Sequence, residues 1–250
     1  MPSHLKNTTR RAAVLGAVTI GVTAAAVSTV AAPASAAKVS VGPGAEIAVV
    51  AQKLGPHSAN VNQCTLGFVA TKPGGQKVGV TAGHCGKAGQ QVAVKDLSGQ
   101  AQLVVVGKVS RSTNPPTKKG ADGRLMAGNP NIPDWATIDF VKGVPLSSSL
   151  GPVHPTKVAK AAVGDQVCHQ GITTGWRCGK VVAVSGHRVL TDVILRPGDS
   201  GGPFVRKSDG AAVGIASTAD KPDTSRGKEY SEFIDLGFVF GQAGGLTLAS

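Results

Sequence analysis

The chain has 250 residues, of which 41% are apolar and 4% aromatic, with 34 glycines and a formal charge of +12. That length supports one large or two small domains with real cores. The basic residues are not interleaved with aromatics as nucleic-acid recognition requires, so specific nucleic-acid binding is left out and the charge names no partner.

Lys6, Arg10 and Arg11 form a positive start, followed by an apolar run from Ala12 to Ala32 and then Ala34-Ser35-Ala36. A positive stretch, an apolar stretch and a small-x-small ending make an export signal over residues 1–36. Its Ala, Val, Thr and Gly content argues against a retained anchor, so membrane contact is expected only during export. The mature chain then begins near Ala37 or Lys38 and carries about +9.

Beyond the signal, helical periodicity is almost absent. Short apolar runs end in Gly, Pro, Asn or Asp, the pattern of strands and turns. One set of expected strands is Glu46–Val50, Thr65–Ala70, Lys77–Thr81, Gln91–Lys95, Leu103–Val109 and Trp135–Val141. A second is Gln166–His169, Lys180–Val184, Arg188–Ile194, Pro203–Val205, Ala211–Ala216 and Phe233–Phe240. Two sets of about six predict an all-β chain of two closed antiparallel barrels or sandwiches. The expected organisation is a lead-in over 37–61, one β unit over 62–150 and a second over 151–250. Gly143–Lys157 reads as their connector. Ser112–Pro133 is long for a structureless loop and reads as a surface excursion or the rim of a site.

Four cysteines follow the signal: Cys64, Cys85, Cys168 and Cys178. In an exported chain this even count favours two disulfides. No Cys-x-x-Cys or tight Cys/His spacing supports a metal, and no cofactor is expected. Three pairings are possible, of which the local one, Cys64 with Cys85 and Cys168 with Cys178, is the simplest. Each bridge would stabilise by about 2–4 kcal/mol.

Three segments carry chemistry. Thr81-Ala82-Gly83-His84-Cys85 sets a histidine at a strand end beside a half-cystine, where the chain turns rigidly. Pro197-Gly198-Asp199-Ser200-Gly201-Gly202-Pro203 surrounds a serine with glycines, so its hydroxyl is exposed and a carbonyl can approach the main chain. The N–H groups of Gly198 and Ser200 can converge on one developing oxyanion, each worth roughly 2.7–4 kcal/mol in acyl transfer. Asp134 opens the alternating segment Asp134-Trp135-Ala136-Thr137-Ile138-Asp139-Phe140. A histidine base needs a buried carboxylate, and Asp134 at the start of the strand can swing under His84 where Asp139 cannot. The order His, Asp, Ser is one of three known for such triads. Gly198–Gly202 also fits Gly-x-Ser-x-Gly, but no helix pattern and no histidine follow Ser200, which excludes the α/β-hydrolase reading.

Thr81–Cys85, Asp134–Ala136 and Gly198–Pro203 together resemble the signatures of chymotrypsin-like serine peptidases. Cys64-Thr65-Leu66-Gly67-Phe68 and Val167–Gly179 are similar to the bacterial streptogrisin and α-lytic branch. The resemblance runs from about Asn62 onward. It implies two six-stranded barrels with the site in the cleft between them, and it supports the local disulfides. It also implies a monomeric secreted endopeptidase acting on polypeptides through His84, Asp134 and Ser200, with Gly198 and Ser200 as oxyanion hole. Ser217, Thr218 and Ala219 fall on its substrate-pairing strand, and Leu195 and Arg196 fall on the pocket wall. Ala219 in place of a glycine narrows that pocket, which points to small or medium apolar P1 residues. The chain departs from the branch in several ways, among them Arg196 where Glu is common before the serine motif. Ile194 stands where a bracing cysteine is usual. His169 replaces an arginine that can pair with Asp199. Only some 25 residues separate the signal from the first matching strand, so folding without a pro-segment is expected. The competing reading is an inactive homologue that binds an extracellular partner.

Overall fold

A computed structural model describes residues 24–26, 39–55, 58–97, 102–119, 125–127, 131–223 and 228–250. Apart from Ala24–Ala26, the export signal lies outside the described residues. In chain order the strands are β1 (Ala24–Ala26), β2 (Glu46–Gly55), β3 (Ser58–Thr65), β4 (Phe68–Thr71), β5 (Lys77–Thr81), β6 (Gln91–Lys95), β7 (Leu103–Ser112), β8 (Thr117–Lys119), β9 (Leu125–Ala127) and β10 (Ala136–Phe140). There follow β11 (Gln166–Gly171), β12 (Gly175–Ser185), β13 (Arg188–Thr191), β14 (Pro203–Arg206), β15 (Ala212–Asp223), β16 (Lys228–Asp235), helix α1 (Leu236–Gln242) and β17 (Thr247–Leu248).

The strands form two antiparallel units, as expected, but only one closes by hydrogen bonding. Strands β11-β12-β13-β16-β15-β14 make a closed barrel, while β1-β3-β2-β6-β7-β10-β5-β4-β17 make an open nine-stranded sheet. The first sheet is filled by Ile47, Val49, Leu66, Val92, Val106, Val109 and Ile138, and the barrel by Val167, Val181, Val189, Phe204, Val213 and Phe233. The chain end crosses back: β17 pairs with β4, so the C-terminal segment ties the two units together.

Three differences from the expected strands have physical causes. Strand β3 is absent from the expected set because its alternation is short, with only Ala59 and Val61 buried between Ser58, Asn60 and Asn62 before exposed Gln63 breaks it. It forms through its ladder with β2. The segment expected as one strand over Phe233–Phe240 is strand only to Asp235, and α1 begins at Leu236. Asp235 starts the helix because its carboxylate accepts the N–H of Phe238. The expected run Thr65–Ala70 is broken at Leu66-Gly67, between β3 and β4. The Ser112–Pro133 excursion contains a small hairpin, β8 paired with β9.

Candidate active site

His84 lies in a single 3-10 turn, Gly83–Cys85, immediately after β5. Asp134 precedes β10, which pairs with β5 at Ala136 and Thr81, so the two short connections emerge side by side. Asp134 Oδ1 accepts the main-chain N–H of His84 at 2.8 Å, and Oδ2 lies 2.7 Å from His84 Nδ1. Ser200, from the barrel, places Oγ 2.8 Å from His84 Nε2. Asp139, the competing carboxylate, instead pairs with Lys72 at 2.8 Å near the far end of β10.

Electrostatics within this chain of contacts are cooperative. Burial disfavours the imidazolium of His84, but the Asp134 charge and hydrogen bond outweigh it and raise the histidine above its ordinary value. Burial likewise pushes Asp134 up, and His84, the Ser217 hydroxyl and the His84 N–H more than offset it, leaving the carboxyl below its usual range. Ser217 Oγ donates to Asp134 Oδ2 at 2.7 Å. Ser217 therefore serves the carboxylate as well as lying on the strand expected to pair with substrate.

The serine loop is held from two directions. Thr65, fully buried at the end of β3, donates its N–H to the Ser200 carbonyl at 2.9 Å and its hydroxyl to the Gly198 carbonyl at 2.8 Å. On the other side lies the turn Ile172–Thr174 between β11 and β12. Asp199, fully buried, accepts the N–H groups of Thr173 and Thr174 on Oδ1 and that of Arg196 on Oδ2, at 2.8–3.0 Å. Three main-chain donors thus compensate the anion for which the sequence offered no arginine. His169 is buried beside it. A Cβ at Gly171 would lie 2.1 Å from Asp199 Oδ1 and 2.6 Å from His169 Nε2, so only glycine fits between them. Burial pushes His169 down to about 4, against the opposing pull of Asp199 and of the Pro203 main chain.

Both disulfides have the local pairing, Cys64–Cys85 and Cys168–Cys178. The first joins the residues adjacent to Thr65 and His84. The second crosses the hairpin whose tip holds Asp199. Cys64, His84 and Cys85 lie close enough for a metal, but both sulfurs are spent in the bridge and offer no thiolate.

Of the pocket residues expected from sequence, Leu195 instead packs its side chain into the barrel interior, where its apolar bulk is buried, and donates its N–H to Ser231 Oγ at 3.0 Å. Arg196 pairs with Glu229 at 3.2 Å, a bridge from the loop to β16 near the missing cysteine brace. Thr218 is buried in β15, and the side chain of Ala219 lies outside the described residues. Thr65, Thr173 and Arg188 escaped the sequence reading. Nothing local marks them, because each acts on a segment distant in the chain. A cavity of about 560 Å³ lined by Lys160, His187, Asp235 and Phe238 includes no residue of the His84 contact chain.

A closed barrel beside a second antiparallel sheet, with carboxylate, imidazole and hydroxyl in contact between them, defines the chymotrypsin-like class of proteins. The trypsin family model matches residues 73–236, and the chain belongs to that family. It is 33% identical over 199 residues to streptogrisin-C of Streptomyces griseus, covering 75% of this chain and 38% of that protein. It is 31% identical over 157 residues to the uncharacterized protein Rv1815 of Mycobacterium tuberculosis, covering 61% of this chain and 65% of that protein. The chain thus spans less than two thirds of either relative. Among solved structures, the Nocardiopsis protease superposes with a TM-score of 0.58 at 26% identity, over 85% of this chain and all of that one. The alpha-lytic protease homolog N4 gives 0.57 at 25%, over 84% of this chain and all of that one.

Proposed function

We propose that the protein is a secreted, monomeric serine endopeptidase acting through an acyl-enzyme. The observation that carries this is His84 bridging Ser200 Oγ at 2.8 Å and Asp134 Oδ2 at 2.7 Å. An ionised carboxylate only accepts, so Nδ1 carries the ring proton and Nε2 is free to take the proton of Ser200. Ser200 Oγ attacks the scissile carbonyl carbon as its proton passes to Nε2. The imidazolium, stabilised by Asp134, then protonates the leaving amine, and the acyl-enzyme remains. Water repeats the same proton transfers and releases the acid. Gly198 and Ser200 N–H groups stabilise the oxyanion in both steps.

Family membership and the likeness to bacterial proteases support peptide-bond hydrolysis, and the two disulfides fit an extracellular setting. A fluorophosphonate probe tests the reading. The wild type should be labelled, and Ser200→Ala and His84→Ala should not. A folded, disulfide-bonded wild type that resists labelling would point to a binding protein instead.

A further inference from the structure

The Pro197–Gly198 peptide is the place where local sequence leaves the site undecided. Proline fixes its own φ but leaves ψ free, and glycine accepts either sign of φ. The peptide can therefore stand either way up. In one orientation the Gly198 N–H faces the reacting carbonyl. In the other the Pro197 carbonyl faces it and repels the oxyanion.

A side chain 24 residues away selects between them. Thr173 Oγ1 donates to the Pro197 carbonyl at 2.7 Å. The described residues contain no cis peptide, so the C=O and N–H of this unit point to opposite sides. Holding the carbonyl toward Thr173 aims the Gly198 N–H away from it. Gly198 sits at φ +102°, and a Cβ there would come within 2.5 Å of the Thr173 hydroxyl oxygen. The next two anchors act on either side: Thr65 Oγ1 holds the Gly198 carbonyl, and Thr173 and Thr174 N–H hold Asp199. None of these touches the Pro197 carbonyl. That group depends on the exposed Thr173 hydroxyl.

We propose that Thr173 is a positioning residue whose hydroxyl locks the Pro197–Gly198 peptide in the orientation that presents the Gly198 N–H to the oxyanion. This rests on the serine-peptidase reading above. It adds a residue that touches neither substrate nor triad. Because the oxyanion forms only once Ser200 attacks the carbonyl, and is absent from the ground-state complex, the loss should fall on kcat rather than KM.

Thr173→Val removes the hydroxyl and keeps the shape, and the position is exposed, so folding is not at stake. With a peptide anilide, kcat should fall by about 10- to 100-fold, approaching the loss of an oxyanion donor, with KM and the acid limb of the pH profile unmoved. Thr173→Ser should recover most of the rate. A peptide boronate should lose affinity in proportion to kcat/KM. A Thr173→Val enzyme as active as wild type would overturn the proposal while leaving the peptidase reading intact. If the wild type itself neither hydrolyses nor labels, the peptidase reading fails, and the crystal structure of Thr173→Val still decides. A turned or mixed Pro197–Gly198 peptide supports the lock, and an unchanged one refutes it.

Discussion

The guanidinium of Arg188, on β13 of the barrel, donates to the carbonyl of Ile132, two residues before Asp134 in the other unit, at 3.2 Å. The same group pairs with Glu232, which is almost fully buried on β16. Asp134 arrives at the end of the long Ser112–Pro133 excursion, so its approach needs an external anchor, and Arg188 is one. Arg188→Met should lower kcat by about 10-fold or more through small misplacement of the carboxylate. With less support from Asp134, the His84 pKa should drop, moving the acid limb of kcat/KM to lower pH. A loss of melting temperature with the limb unmoved would make Arg188 merely structural.

If His84 acts as the base proposed, Asp134 raises its pKa and the midpoint of that acid limb should lie above pH 6.5, because the base must be neutral. Asp134→Asn should cost about 10⁴-fold in kcat, since the wrong tautomer is then favoured. The same pair has a stability signature. His84, raised in the fold, contributes stability that is full below its unfolded value of 6.5 and is lost as pH rises through the folded value. Asp134, lowered in the fold, contributes above 3.8 and loses that contribution as pH falls. A pH–rate profile with urea melts of wild type and Asp134→Asn checks both signs.

His169 works in the opposite sense. Its folded pKa of about 4 lies below 6.5, so the unfolded chain binds the extra proton between these values. Stability from this group is complete above pH 6.5 and falls by about 3 kcal/mol as the pH approaches 4. His169→Phe keeps the ring against Phe204, 4.8 Å away between centroids, and should flatten that part of the curve. The difference between the two pH–stability curves is the measurement. Parallel curves would show that His169 does not titrate in this range.

Replacing Cys168 and Cys178 together by alanine should destabilise by about 2–3 kcal/mol for a loop of this length. The bridge crosses the hairpin whose tip holds Pro197 and Asp199, so kcat should fall even at temperatures where the variant stays folded. Matched melts and rates on a folded sample separate the two effects.

Leu195 is packed inside the barrel rather than on the pocket wall, so the expectation rests on Ala219 narrowing the pocket and on the Arg196 guanidinium being engaged by Glu229 and by the Leu195 carbonyl. A peptide-library profile should therefore favour small or medium apolar P1 residues. Dominance of Arg, Lys or Glu at P1 would refute this.

By itself the sequence determined the chemistry-bearing segments and the strand-rich class. His84, Asp134 and Ser200 stand out because each needs special neighbours within a few residues: a half-cystine at a turn, an alternating strand, a cluster of glycines. The local disulfides are legible for the same reason. Strand β3 is hard to read because its alternation is carried by Ala59 and Val61 alone, and its ladder with β2 extends it through polar Asn62 and Gln63. Helix α1 hides in an apolar run too short for periodicity to separate from a strand. Tertiary structure alone decided whether each sheet closed, since closure depends on β14 meeting β11 across the barrel. It also decided how the serine loop is aimed. Thr65, Thr173 and Arg188 reach Gly198, Pro197 and Ile132 across 133, 24 and 56 residues of chain. The bonds from Thr65 and Arg188 come from the packing of one unit on the other, that from Thr173 from the closure of the barrel on itself, and no local pattern of residues encodes them.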